Sequence, residues 1–365
     1  MTDSITPDDL RDRLSSIDDP DLGDDVVSSG LVREVTVGDG TASINLALGA
    51  VHSPTENALA EEVRSVVREA GLDPDLSATP ERKPGAEQVL PGVDAVVAVA
   101  SGKGGVGKST VASNLAAGLA DRGASVGLFD ADVYGPNAPQ MLGVEAAPEI
   151  EDIDGEKRLV PPESHGVEVA SVGSLVGDDD PVIWRGPMAH SALTDLFDDV
   201  AWTGLDYLVV DLPPGTGDVQ MSVLQTLPVT GALVVTTPQA VATDDTRRSM
   251  RAFGEFDTPV LGVVENMRTF VCPDCESAHD VFGAGGGEEL ADETGLPYLG
   301  ALPLDPAVRE GGDDGTPLVL GEGETAETFR SLAGRVADKV GLLRRHRRMK
   351  NVAGSEGVVS SATHP

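Results

Sequence analysis

The feature that most constrains the fold of this chain is Gly102-x-x-x-x-Gly107-Lys108-Ser109. An apolar, β-branched run, Val96–Val99, precedes it, and Val111, Leu115, Ala116 and Leu119 follow at helical spacing. Strand, glycine-rich loop and helix in that order form a phosphate-binding P-loop. Gly102, Gly104, Gly105 and Gly107 let backbone N–H groups turn onto phosphate oxygens, with Val106 and Thr110 completing the lining. Lys108 is placed for the β- and γ-phosphates and Ser109 for Mg²⁺. The helix start directs partial positive charge at the same oxygens.

From Asp94 onward strands and helices alternate. The candidate strands are Val96–Ala100, Ser125–Asp130, Asp206–Asp211, Gly231–Thr237, Pro259–Val264 and Pro297–Leu302. Most are continuous apolar runs, as parallel strands covered on both faces require. The pattern predicts an α/β fold, a doubly wound and mostly parallel sheet of the P-loop NTPase class, with nucleotide at the strands' C-terminal ends. A small α+β domain is expected before it, over residues 1–72. Leu10 and Leu14 suggest its first helix, Ala42, Ile44, Leu46 and Leu48 alternate as a strand, and Asn57–Ala70 is an amphipathic helix. Residues 73–92, punctuated by Pro74, Pro80, Pro84 and Pro91, read as a linker. The ATPase domain then covers 93–345. Residues 151–183 are irregular and suggest at most a β-hairpin. Residues 346–365 read as a basic and disordered tail, with Arg344–Lys350 a solvated cap on a helix C-terminus.

Net charge is −35, from 61 acidic and 26 basic residues, and aromatics make up only 3%. A surface this acidic fits very high salt, a halophilic setting in which repulsion is screened, and it argues against broad nucleic-acid binding. No apolar run reaches the about 18 residues that a membrane span needs. Two cysteines in one CxxC exclude a disulfide framework, so a reducing cytoplasm is the expected compartment.

Three further stretches carry chemistry. Asp130-Ala131-Asp132-Val133-Tyr134-Gly135-Pro136-Asn137 ends the second strand, where a carboxylate can hold Mg²⁺ through water or orient an attacking water. One of the two aspartates could instead only cap the turn. Tyr207–Asp211 is four apolar-rich positions ending in Asp, so Asp211 acts on Mg²⁺. The following Pro213-Pro214-Gly215-Thr216-Gly217 suits a loop that answers to the γ-phosphate, with Gly215 offering its N–H. Cys272-Pro-Asp-Cys275 is a redox pair, half of a zinc site, half of an iron–sulfur site or an idle thiol pair. His279 is nearby, more simply read as a surface residue.

Lys103, directly after the first glycine, gives GKGGVGKST, which resembles the deviant Walker A ATPases: the partition ATPases, the cell-division-site ATPases and the nitrogenase iron protein. Together with DADVYGPN, DLPPGTGD and CPDC, in that order, the chain resembles the Mrp/ApbC-type iron–sulfur cluster carrier ATPases over nearly its whole length. DPDLGDDVVSSGLV resembles the iron–sulfur-assembly domain often fused in front of them, although Ser53 stands where that family often has Cys. The resemblance implies a homodimer in which Lys103 reads the nucleotide across the interface. It implies Asp132 for water activation with Asp130 in support, and Asn266 as a hydrogen-bonding partner of adenine. Cys272 and Cys275 would be half of a bridging cluster, [4Fe–4S] by geometry, handed to apo-proteins in step with slow ATP hydrolysis. Scaffold proteins would supply it, without membrane or nucleic acid. The alternatives are a partition or positioning ATPase and a reductase like the nitrogenase iron protein.

Overall fold

The computed structural model describes residues 5–79, 89–132, 135–153, 155–175, 197, 199–202, 204–215, 217–239, 246–247, 249–250, 253–272, 275 and 277–359. Val133, Tyr134, Thr216 and the prolines of the expected linker from Pro80 to Pro84 lie outside them. The chain divides into two compact units, Met1–Arg82 with Ala337–Pro365, and Lys83–Val336.

The small unit opens with α1 (Pro7–Leu14), started by a capping box between Thr6 and Asp9. Strands β1 (Val32–Gly38) and β2 (Thr41–Leu46), the latter carrying the alternating run, form a hairpin. Asp39 and Gly40 make its turn with left-handed φ of 51° and 79°, as a two-residue hairpin loop demands. Helix α2 (Pro54–Glu69) starts on Ser53, whose hydroxyl accepts from the Glu56 N–H. Leu10, Leu14, Ile44, Leu46, Val63 and Val67 close the core. The expected linker begins too early: β3 (Asp73–Ala78) pairs parallel with β2. Pro74 disguised it, but β3 lies at the sheet's edge, where a missing N–H is tolerated.

The large unit is built on β4 (Val93–Ser101), α3 (Lys108–Asp121), β5 (Val126–Asp130) and the short α4 (Ala138–Met141). A hairpin comes next, β6 (Glu149–Ile153) and β7 (Glu156–Val160), then β8 (Glu163–Ser164) and β9 (Val167–Ser171). After these are β10 (Leu205–Asp211), α5 (Asp218–Thr226), β11 (Gly231–Thr236) and β12 (Val260–Glu265). The chain continues through β13 (Phe270–Val271), β14 (Ala278–His279), α6 (Gly286–Thr294), β15 (Tyr298–Ala301) and α7 (Pro306–Asp313). The main sheet runs β15-β12-β11-β4-β10-β5-β9-β8, parallel throughout except β8 on β9. All six expected strands are in it. The seventh parallel strand, β9, hid in the irregular stretch because Glu168 interrupts a short apolar run.

Register brings the acidic strand ends together. Asp211 sits opposite Asp130 on one side and Val99 on the other, so β10 and β5 end level while β4 runs on to Ser101. Helix α3 buries Val111 through Leu119 without a polar face, which fixes the loop before it between β4 and a rigid cylinder.

The last helix, α8 (Glu324–Val359), buries Phe329, Leu332 and Val336 within the large unit's portion. From Ala337 it belongs to the small unit, and here the reading of a solvated basic cap is corrected. Arg344 and Arg345 are 4% and 3% exposed. Arg345 meets Asp19 at 2.9 Å, Asp21 at 2.8 Å and Glu56 at 2.7 Å, while Arg344 donates to the Gly49 carbonyl. Asp338 accepts from the Ser53 hydroxyl and the Thr55 N–H, so Ser53 is sealed beneath this helix.

Candidate active site

The P-loop takes its shape from two glycines: Gly105 and Gly107 have φ of 78° and 80°. Gly107 is also the N-cap of α3, and a Cβ there would collide with Asn266 Nδ2. Neither position accepts a side chain without strain. A cavity of about 210 Å³ lies over the loop, with Lys103, Lys108, Ser109 and Asp132 on its walls. A second, of about 420 Å³, shares Gly107, Thr110, Asn137 and Met141 with it and extends to Asn266, Met267 and Leu304. A triphosphate-sized slot thus opens into a wider chamber sized for a base and sugar.

Lys108, 6% exposed, places Nζ 2.5 Å from Asp211 Oδ1. Burial raises the Asp211 pKa, and Lys108 opposes the shift. Its other oxygen, Oδ2, is buried without a hydrogen-bond partner among the described residues. A buried, orphaned carboxylate oxygen is what a cation would satisfy. With Ser109 at the same wall, the donor set fits Mg²⁺.

Asp130 is fully buried, and its pKa is raised to about 7 by burial and by Asp211 beside it. Its oxygens accept from the N–H groups of Asp132 (3.0 Å), Asn137 (2.9 Å) and Ala138 (2.9 Å). Asp130 therefore folds the loop that carries Asp132, the capping role that the sequence leaves open for one of the pair. Asp132 itself reaches the phosphate cavity.

Other site residues have partners inside the protein. The Gly215 N–H, expected on a γ-phosphate, donates to the Ser101 carbonyl at 3.0 Å, with φ of 88°. Asn266, expected on adenine, donates Nδ2 to the Val106 carbonyl at 2.8 Å and accepts the Met267 N–H at 2.9 Å. Lys103 Nζ lies 3.4 Å from Gln239 Oε1. The Ser101 hydroxyl donates to the Lys103 carbonyl, a contact that no sequence signal announced.

The CxxC lies near the tip of the β13–β14 hairpin, whose rungs pair Phe270 with His279 and Val271 with Ala278. The Cys272 N–H donates to the Ser277 carbonyl at 3.0 Å. Cys275 is exposed, and hydrogen bonds with the Ser277 side chain and backbone, then with Cys272, hold its thiol below the usual range. A thiol so poised ligates soft metals readily. Among the described residues no group of three His, Cys, Asp or Glu could hold a metal, and His279 is exposed on the hairpin stem. Two thiols are thus what one chain supplies. Val271, Val281 and Phe282 are 53%, 57% and 37% exposed around them.

Fold and site define a P-loop ATPase. Its P-loop stands at the carboxyl end of a parallel sheet, with the acidic tips of β10 and β5 together on one side of it. The family described as "NUBPL iron-transfer P-loop NTPase" matches residues 92–337, and "Iron-sulfur cluster assembly protein" matches residues 7–75. The chain belongs to this iron-transfer P-loop NTPase family. An iron-sulfur cluster carrier protein of Synechocystis is 40% identical over 348 residues, 93% of this chain and 99% of that one. One of Helicobacter pylori is 37% identical over 99% of both chains. Among solved structures, a nucleotide-binding protein of Archaeoglobus fulgidus in complex with ADP is 34% identical, with a TM-score of 0.56, over 64% of this chain and 91% of its own. The cell division ATPase MinD of Pyrococcus furiosus is 25% identical, with a TM-score of 0.51, over 67% and 98%.

Proposed function

We propose that this ATPase carries an iron–sulfur cluster on Cys272 and Cys275 and passes it to apo-proteins. The observation that carries the proposal is the pairing, within one compact unit, of a nucleotide slot with a pair of soft ligands at the surface. The hairpin bearing the thiols begins at Phe270, shortly after β12 ends on Glu265, and Glu265 adjoins Asn266 on the base chamber. Relatives along almost the whole length named as cluster carriers support it.

In this reading two chains meet at their hairpins, and four thiolates hold one [4Fe–4S] cargo. The exposed Val271, Val281 and Phe282 suit burial against a second copy. Lys103 would reach the phosphates of the partner's nucleotide, adding a cation where charge spreads in the transition state. Ser109 and Asp211 would hold Mg²⁺, which neutralises phosphate charge. Lys108 would then leave Asp211 for the phosphates. Asp132 would orient water, on a loop that Asp130 keeps folded. Asn266 retains a second amide hydrogen for adenine. Recipient thiolates would displace Cys272 and Cys275 from iron one at a time, a ligand exchange without net redox change. Among the described residues no helix is long and apolar enough to cross a membrane. A positioning ATPase anchored by its basic tail loses Arg344 and Arg345, which are buried.

The test is transfer. Anaerobically loaded protein should activate an apo-enzyme that needs a [4Fe–4S] cluster, faster than free iron and sulfide do, and faster again with Mg-ATP. Activation no faster than from free iron and sulfide would sink the proposal.

A further inference from the structure

We propose that Glu265 and Asn266 are positioning residues that link nucleotide occupancy of the P-loop to the reactivity of the CxxC thiols. The inference rests on the nucleotide and thiol sites proposed above and adds how one acts on the other.

The two residues are consecutive at the tip of β12 and grip opposite things. Asn266 holds the P-loop through the Val106 carbonyl at 2.8 Å. Glu265 is fully buried and holds the far end of the hairpin. Its oxygens accept from the Gly285 N–H at 3.1 Å and the Gly287 N–H at 2.5 Å, at the start of α6. A buried carboxylate at a helix N-terminus is a firm anchor. Arg268 reaches back to Glu265 at 3.4 Å and on to Glu288 at 3.9 Å. The segment between has little slack. Met267 sits at φ 58°, where a non-glycine residue is strained, and the Arg268 N–H is pinned to the Leu302 carbonyl. Thr269 ties the stem through the Leu304 N–H to its carbonyl and through its hydroxyl to Asp280 at 2.9 Å.

Phosphate seated on the loop acts on the peptide units whose carbonyl Asn266 holds. A base in the chamber lies against Asn266 and Met267. Both events therefore displace or stiffen residue 266. Because Glu265 cannot follow without breaking the α6 anchor, the adjustment falls on residues 267–272, which end in Cys272. The anchor is also tightly fitted: a Cβ at Gly287 would meet the Glu265 Cβ at 2.8 Å, so no larger residue fits there without moving the carboxylate.

The experiment uses reduced, metal-free, full-length protein. The alkylation rate of Cys272 and Cys275 by iodoacetamide is measured with and without Mg-ADP, at saturation set by a separate binding titration. In the wild type the two rates should differ by about fivefold or more. In Glu265→Gln, whose amide cannot accept both N–H groups, the ratio should fall close to one at that variant's own saturation. Circular dichroism reports whether the variant folds. If it does not, wild-type hydrogen exchange decides: residues 268–283 should change protection on ADP binding. Equal wild-type rates at saturation, an unchanged ratio in Glu265→Gln, or unaltered exchange across 268–283 would overturn the linkage. Absence of ADP binding would overturn the nucleotide site itself. A normal thiol response without cluster uptake would overturn only the cargo.

Discussion

Arg345→Met probes the least expected contact in the chain. The guanidinium is 2% exposed and faces Asp19 (0%), Glu56 (1%) and Asp21 (29%). Methionine fills much of the volume but leaves two buried carboxylates without a counter-charge. Removing one partner of a buried ion pair costs about 3–5 kcal/mol. Asp21, being more exposed, adds little. At about 1.4 kcal/mol per decade, amides that exchange only by opening of the small unit should speed up by roughly 140- to 4,000-fold. The assay is native-state hydrogen exchange read at Ile44 and Val63, both within that core. Replacing all three groups together (Arg345→Met, Asp19→Leu, Glu56→Leu) should recover most of the loss, since no buried charge is then orphaned. ADP affinity should hold, because the P-loop belongs to the other unit. Acceleration of less than about tenfold in the single variant would mean that the cluster is solvated, and the reasoning would fail.

Three other outcomes rest on particular contacts. Gly107→Ala should cost about 1–2 kcal/mol for its left-handed backbone alone, and it also drives a Cβ into Asn266, so ADP binding measured by calorimetry should fall at least tenfold. Glu168 has a pKa raised to about 7, by burial first and then by Glu163 directly across the strand pair. The folded protein therefore keeps that proton between pH 4.5 and about 7 while the unfolded chain releases it, so this group's contribution to stability is full below that window and is lost as pH rises through it. Glu168→Gln should narrow the difference in large-unit melting temperature between pH 5 and pH 8; an unchanged difference would refute the assignment. Lys103→Ala should leave ADP bound yet slow ATP hydrolysis by a factor on the order of 10³ if the lysine acts across a dimer, and sedimentation with Mg-ATP would show whether the dimer persists.

Much of this molecule was legible in its sequence because local and global signals agree there. Val93–Ser101, Leu205–Asp211 and Gly231–Thr236 are buried on both faces over most of their length, and their nearly continuous apolar runs say so. The P-loop glycines advertise their backbone. What stayed hidden depends on partners distant in the chain. β3 carries a proline and an exposed pattern, and only pairing with β2 makes it a strand. The arginines at 344 and 345 look like a solvated tail until Asp19, Glu56 and the Gly49 carbonyl, from the opposite end of the chain, surround them. The same holds at the site. Asp130 and Asp211 were each visible as strand-tip carboxylates. That one folds a loop, while the other leaves an oxygen bare beside Lys108, depends on register and burial.

Metal content after anaerobic reconstitution tests the central claim most directly. Wild-type protein, reduced and loaded with iron and sulfide, should hold about four of each per two chains, and Cys272→Ala should hold neither. Zinc in preference to iron, or iron retained by Cys272→Ala, would contradict the claim that these thiols carry the cluster.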